Sequence, residues 1–239
     1  MADNRPTSAS GRPPSDVVEF DYRGGSEFDT GVVEDLEGLH KAFCRDLSRH
    51  FSHLLQVPVA VSHRSTDEVP YLSYVRSLPS PTVLGVIEFA PTSGRVVADM
   101  PNHLGFAILD ILLGGSGRPT DFRAFTDLEG SILGMALSPV SDAMVTALEP
   151  AAALSGELLA IQAHPSISGL YEPEEPTVVL SFDIRIDTAQ PTEGILSLCY
   201  PKASLEPLFA PAPAEDIEIT VQSPVNPKLF DPMSEVPIE

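Results

Sequence analysis

The sequence predicts an α/β layered domain in which two pseudo-symmetric halves share one central sheet, mixed or antiparallel, with long helices covering its faces. Three observations lead there. Pro81-Thr82-Val83, a hairpin, then Met100-Pro101 and a helix recur as Pro176-Thr177-Val178, a hairpin, then Tyr200-Pro201 and a short helix over Lys202 to Leu208. A long helix precedes each copy. In the strand from Thr177, Phe182, Ile184 and Ile186 alternate with Asp183, Arg185 and Asp187, so one sheet face is core and the other meets water.

The elements follow in chain order. Val32, Leu36, Leu39, Phe43, Leu47, Phe51 and Leu54 recur at steps of three and four, an apolar stripe on a helix of about six turns that Pro58 stops. Pro58 to Val61 starts a short strand, and Thr66-Asp67-Glu68 suits a helix start. Pro79-Ser80-Pro81 breaks the chain before a strand over Val83 to Phe89, which turns at Pro91-Thr92-Ser93-Gly94 and returns as Val96 to Met100. A helix over Asn102 to Leu113 turns Leu104, Ala107, Ile108, Ile111 and Leu112 inward and ends at Gly114-Gly115-Ser116-Gly117. Thr126 and Glu129 have the spacing of a capping box and open a second long helix with Leu128, Ile132, Met135, Met144 and Leu148, which Pro139 should kink or split. Further strands are expected around Leu158 to Ala163, Thr177 to Ile186 and Ile195 to Cys199.

Composition narrows the function. Of 239 residues, 43% are hydrophobic, and 14 Lys plus Arg against 34 Asp plus Glu give a net charge of −20. Such a surface repels phosphate backbones and anionic lipid headgroups, so nucleic-acid binding is not expected. The acidic excess is concentrated after residue 123, which points to solvent or a basic partner. Stretches without charge such as His50 to His63 are too short for a membrane span, and the N-terminus lacks a basic region followed by an apolar one, so a cytoplasmic chain is expected. Cys44 and Cys199 lie far apart with no metal-ligand spacing and read as buried free thiols.

Three enzyme readings of the glycine-rich segment each fail at a required residue. A nucleophile elbow needs glycine where Arg118 stands, a phosphate-cradling loop needs Gly-Lys, and GxGxxG is missing. What remains is a helix C-terminal cap, with three glycines in four positions suggesting a backbone that a partner approaches closely. His40, His50 and His53 lack a completing carboxylate or thiol and read as surface or boundary residues, so no metal is expected. Asp183 and Asp187 flank Arg185 on one strand face and read as a solvated, partly neutralised set. Glu172, Glu174 and Glu175 form a solvated charge run open to a basic partner. Nothing calls for a cofactor.

Phe20-Asp21-Tyr22-Arg23, Val57-Pro58-Val59, Ser77-Leu78-Pro79-Ser80-Pro81-Thr82-Val83-Leu84, Ile108-Leu109-Asp110-Ile111-Leu112-Leu113-Gly114-Gly115-Ser116-Gly117 and Tyr200-Pro201 to Ser204-Leu205-Glu206-Pro207 together resemble the middle domain of the flagellar motor switch protein FliM family. The resemblance covers about residues 19 to 209. It divides the chain into an N-terminal tail (1–19), a middle domain (20–209) and a Pro-rich acidic tail (210–239), both tails expected to be disordered or extended. It implies the pseudo-two-fold α/β/α fold shared with CheC and CheX. It also implies a non-enzymatic, cytoplasmic ring component at the flagellar basal body that sets rotation direction in chemotaxis.

In that family the Gly-Gly-x-Gly loop touches the FliG middle domain, which assigns this contact to Gly114, Gly115, Ser116 and Gly117, with Arg118 and Pro119 beside them. Neighbouring subunits pack through the long helices. Gly115→Trp is expected to remove FliG binding and leave the fold intact. Residues 1–19 hold nothing similar to the family's segment that captures phosphorylated CheY, and no FliN-like domain follows before Glu239, which leaves both partnerships open. A CheC-type phosphatase is the alternative, but its helical Asp/Ser-x-x-x-Glu-x-x-Asn set would fall on Ser131, Met135 and Ser138, and methionine cannot position water. A divergent adaptor without the motor role is a third reading.

Overall fold

A computed structural model describes residues 28, 30–118, 123–164 and 169–209. Both expected tails lie wholly outside these residues. Helix α1 (Thr30–Leu55) leads into β1 (Val59–Pro70), the short α2 (Tyr71–Ser77), the hairpin β2 (Thr82–Ala90) and β3 (Gly94–Pro101), then α3 (Asn102–Leu112). Helix α4 (Asp127–Leu148) begins the second half, followed by β4 (Ser155–Gln162), β5 (Pro176–Ile186), β6 (Thr192–Pro201) and α5 (Lys202–Phe209).

The six strands form one sheet in the order β1-β5-β6-β3-β2-β4, and every pairing is antiparallel. The halves exchange their outer strands: β1 pairs with β5 of the second half, and β4 pairs with β2 of the first. The pseudo-two-fold axis is visible in the register. β3 meets β6 at Ala98↔Leu198, flanked by Val97↔Cys199 and Asp99↔Ser197. Ala98 and Leu198 each stand three residues before the proline, Pro101 or Pro201, that faces the threonine of the repeated motif, Thr82 or Thr177. The repeat read from the sequence is thus a structural duplication with its axis at the sheet centre.

The alternation of each strand sorts residues between two cores of unequal size. Val83, Ile87, Phe89, Val96, Ala98, Met100, Val178, Leu180, Phe182, Ile184, Leu196, Leu198 and Tyr200 point to the face covered by α1, α3 and α4. On the other face Leu84, Val86, Val97, Val179 and Cys199 lie under Tyr71, Tyr74 and Val75 of α2, with Leu170 and Tyr171 beside them. Both cysteines are buried free thiols.

Four expectations change. Thr66-Asp67-Glu68 does not start a helix: β1 continues to Pro70, paired with β5 on both sides of a register shift at Arg64, and its charges are tolerated because β1 is an edge strand. The helix starts instead at Tyr71, whose preceding proline is extended. In α4 the core side is Leu133, Ala136, Leu137, Val140, Met144 and Leu148, whereas Leu128 and Met135 are each 71% exposed. Of the two effects expected of Pro139, the split is excluded, since α4 is helical from Asp127 to Leu148. His40 is not a boundary residue but sits fully buried among Phe43, Phe182 and Tyr200, while His50 is half-buried and His53 exposed. Leu36, His40, Phe43, Cys44, Leu47, Phe51 and Leu55 form the buried stripe of α1, with Val32, Leu39 and Leu54 at its margin.

By length and composition alone α4 is apolar enough to cross a membrane. Here half of that window is buried, packed on α1, β4 and the sheet.

Candidate functional site: the glycine loop at the end of α3

Helix α3 ends because Gly114 takes a left-handed conformation, φ +89°. The N–H of Gly114 donates to the carbonyl of Ile111 (2.9 Å) and that of Gly115 to the carbonyl of Asp110 (2.7 Å). This pair of bonds is a Schellman cap, which satisfies the last helical carbonyls. The expected helix cap is therefore present, but it is only half of the arrangement.

The Asp110 side chain folds back under the loop. Its Oδ2 accepts the N–H of Gly117 (2.8 Å) and that of Arg118 (3.3 Å). Gly117, at φ +79°, is buried, and its carbonyl accepts a hydrogen bond from Thr192 Oγ1 (3.2 Å) at the start of β6. A β-carbon at Gly117 would lie 3.0 Å from Ile111 and 3.1 Å from Thr188. One carboxylate and one hydroxyl thus clamp the loop on the body of the domain, and Gly114, Gly115, Ser116 and Arg118 are left exposed at its tip. Leu113 stands beside them, 72% exposed.

The chain beyond the loop is anchored as well. Arg123 meets Glu129 with two hydrogen bonds of 2.8 and 2.7 Å and lies 4.9 Å over the Phe106 ring, and its carbonyl accepts from Asn102 Nδ2 (2.6 Å). The capping box is formed: Thr126 Oγ1 accepts the Glu129 N–H (3.3 Å) and Glu129 Oε2 accepts the Thr126 N–H (2.7 Å). The Arg123 guanidinium, then these cap bonds, hold the Glu129 carboxyl well below the usual carboxylate range.

Of the six residues assigned to the site, Gly114, Gly115, Ser116, Gly117 and Arg118 form this one clamped loop, and Pro119 lies outside the described residues. Gly117 is the buried anchor, not part of the accessible tip. Gly115 is exposed, but its inner side faces Asp110: a β-carbon there would stand 2.2 Å from the Asp110 carboxylate. Gly115→Trp therefore displaces the clamp and cannot leave the local structure intact. Sequence reasoning passed over Asp110 and Leu113. The signal for Asp110 was a single carboxylate inside the apolar run Ile108 to Leu113, seven residues before Gly117.

The alternative phosphatase positions do share one outward face of α4. Ser131 lines a shallow groove of about 460 Å³ with Phe125, Gly134, Leu158 and Ile161. Ser131 Oγ donates to the Asp127 carbonyl (2.8 Å), Ser138 Oγ to that of Met135 (3.3 Å), and Met135 projects between them into solvent. Neither the acid nor the amide that the chemistry needs is present at these positions. No cluster of metal-ligating side chains occurs among the described residues. The Asp183 face is made of exposed ion pairs, Arg64 with Asp183 (2.8 Å) and Arg185 with Asp187 (2.6 Å) and Glu193.

The sequence model of the family described as flagellar motor switch protein FliM matches residues 31–212. The chain belongs to the FliM family. It is 26% identical to FliM of Bacillus subtilis over 194 residues, covering 81% of this chain and 58% of that protein. Against FliM of Escherichia coli the identity is 26% over 216 residues, covering 87% and 62%. The chain thus spans about six-tenths of the length of these FliM relatives. Its fold is that of the FliM in a FliG–FliM complex from H. pylori, with a TM-score of 0.72 at 24% identity over 77% of this chain and all of that one. It is likewise similar to the FliM middle domain of Vibrio alginolyticus, with a TM-score of 0.63, 26% identity, and 73% and 97% coverage.

Proposed function

We propose that this FliM-family chain is a non-enzymatic component of the flagellar motor switch, in the cytoplasmic ring at the basal body, and that residues 20–209 act as its middle domain. Its loop Gly114 to Pro119, with Leu113, meets the FliG middle domain, and neighbouring subunits pack alongside. One observation supports the loop assignment above others: a glycine turn, pinned by Asp110 and Thr192, presents exposed backbone together with a bare leucine. Pinning matters because a loop already held in one shape loses little entropy on binding. The switch then acts as a tilting element. An effector that binds one subunit packing better than another shifts their populations, and ring neighbours share the change. The missing acid and amide at Met135 and Ser138 argue against the phosphatase reading.

The test is a calorimetric titration with the FliG middle domain from the same organism. Ser116→Trp and Leu113→Glu replace exposed side chains without touching Asp110, so each is expected to weaken binding at least tenfold while the melting temperature stays put. Absence of binding by the folded wild-type chain overturns the reading, and unchanged affinity in both variants removes the loop from it.

A further inference from the structure

On the second face of the sheet lies a carboxyl that neither the core nor the loop explains. Asp99 of β3 stands opposite Leu84 of β2 and Ser197 of β6, 7% exposed. Burial lifts its carboxyl to about 7. The titratable groups facing it are Tyr74 of α2 and Cys199 of β6, with Tyr71 of α2 next to both, and burial pushes the ionisation of all three upward. No cation is paired with it among the described residues. The Tyr74 hydroxyl is itself buried without a hydrogen-bond partner.

What covers Asp99 is slight. Helix α2 has seven residues, too few to be stable alone, and holds on by Tyr71, Tyr74 and Val75. Its first amides are tied to segment 169–175: Tyr71 N–H donates to Glu175 O (2.8 Å) and Leu72 N–H to Pro173 O (2.9 Å). Tyr171 packs edge-on against Tyr71 at 5.4 Å, and its hydroxyl donates to Arg95 O (3.0 Å). Glu175 Oε1 accepts the Ala203 N–H (2.8 Å) in the first turn of α5.

We propose that α2 and segment 169–175 form one hinged flap over Asp99, shut on the neutral carboxyl and lifted when the carboxylate must be ionised and hydrated. Lifting breaks the Tyr71 and Leu72 bonds and slackens the Glu175 tie, so the movement reaches α5 at the far end of the segment. The device converts proton concentration into the order of one short helix.

The experiment is native-state hydrogen exchange on the full chain from about pH 6 to about pH 9, with each rate divided by the intrinsic chemical rate at that pH. The amides of Tyr71 and Leu72 are expected to open at least tenfold more readily than those of Phe43 and Leu47 in mid-α1, and with little dependence on low urea. An ionisation near 7 when shut and near 3.8 when open makes the flap's opening constant rise about 11-fold over that range, nearly all of it below about pH 8. Asp99→Asn is expected to flatten the rise to less than threefold. One shared opening constant for the flap and α1 amides overturns the proposal, as does a flap that stays flat with pH or a rise that survives in Asp99→Asn. The comparison of flap with α1 is internal to the wild type, so it decides even where the variant does not fold.

Discussion

The buried His40 makes a prediction that only Asp99→Asn exposes. His40 Nδ1 lies 2.7 Å from the Leu36 carbonyl and so carries the proton, while Nε2 accepts from the Tyr200 hydroxyl at 2.8 Å. Burial lowers its ionisation from 6.5 to about 4. The folded state therefore binds fewer protons than the unfolded one, and the stability His40 contributes is full above 6.5 and is lost as the pH falls toward 4. At ~1.4 kcal/mol per pH unit, that interval is worth ~3 kcal/mol. Asp99 runs the other way. Its carboxyl is raised from 3.8 to about 7, so its stability is present at low pH and is lost as the pH rises through 7. Between pH 7 and 4 it returns ~3 kcal/mol on acidification. Wild type is expected to be nearly flat over this range from these two groups, whereas Asp99→Asn loses ~3 kcal/mol through His40 alone. Urea unfolding at about one-unit steps from pH 7 to pH 4 measures this, with Asp99→Asn/His40→Leu as the reference that carries every other titrating group. Parallel pH curves for the single and double variants, within ~0.5 kcal/mol, refute the assignment of His40 as a neutral core residue.

Two further substitutions follow from close contacts. A β-carbon at Gly105 of α3 would lie 2.5 Å from Val83 Cγ2, so Gly105→Ala gains ~1 kcal/mol of helix propensity but loses more to overpacking, for a net destabilisation of ~1 kcal/mol by urea unfolding; a stabilised variant shows that Val83 relaxes freely. Asp110→Ala removes the acceptor of the Gly117 and Arg118 amides, and is expected to speed their hydrogen exchange at least tenfold and weaken FliG binding while the fold melts within a few degrees of wild type; unchanged exchange shows that the clamp is not what holds the loop.

The duplication was legible because its markers are local. Pro-Thr-Val opening a strand and an aromatic or methionine with proline closing a hairpin fix chain direction by sterics, and they stand at the same register on both sides of the axis. The helix α1 stripe was legible for the same reason, since period is a property of neighbouring residues. What the sequence concealed depends on partners distant in the chain. Thr66-Asp67-Glu68 reads as a cap until β5 is known to lie alongside it. His40 reads as a surface residue until Tyr200, 160 positions away, supplies its second hydrogen bond. Leu128 and Met135 read as core because α4 is apolar nearly all round, so composition cannot say which side meets the sheet. The glycine loop lay between these cases. Its cap was readable from glycine spacing, but the Asp110 and Thr192 clamps that make it rigid needed the fold.

A duplicated frame offers each feature twice, so a single partner loop requires that the halves diverge at equivalent places. Helix α3 follows Pro101, and α5 follows Pro201, after strands that pair about the axis. After α3 the chain turns through Gly114 and Gly117 at positive φ and is fastened to β6 through Thr192, which leaves Leu113 and the loop tip exposed. Helix α5 instead contains Pro207, has no glycine after Lys202, and buries Leu205 and Leu208 in the main core. Its first turn is fastened by Glu175, which accepts the Ala203 N–H, and by Ser204, which donates to the Arg95 carbonyl. The second face diverges in the same sense, with α2 over Asp99 of the first half and, among the described residues, segment 169–175 in the second. A nearly two-fold scaffold thereby acquires one distinct end, which a subunit needs if it is to meet a single partner above it and like neighbours beside it.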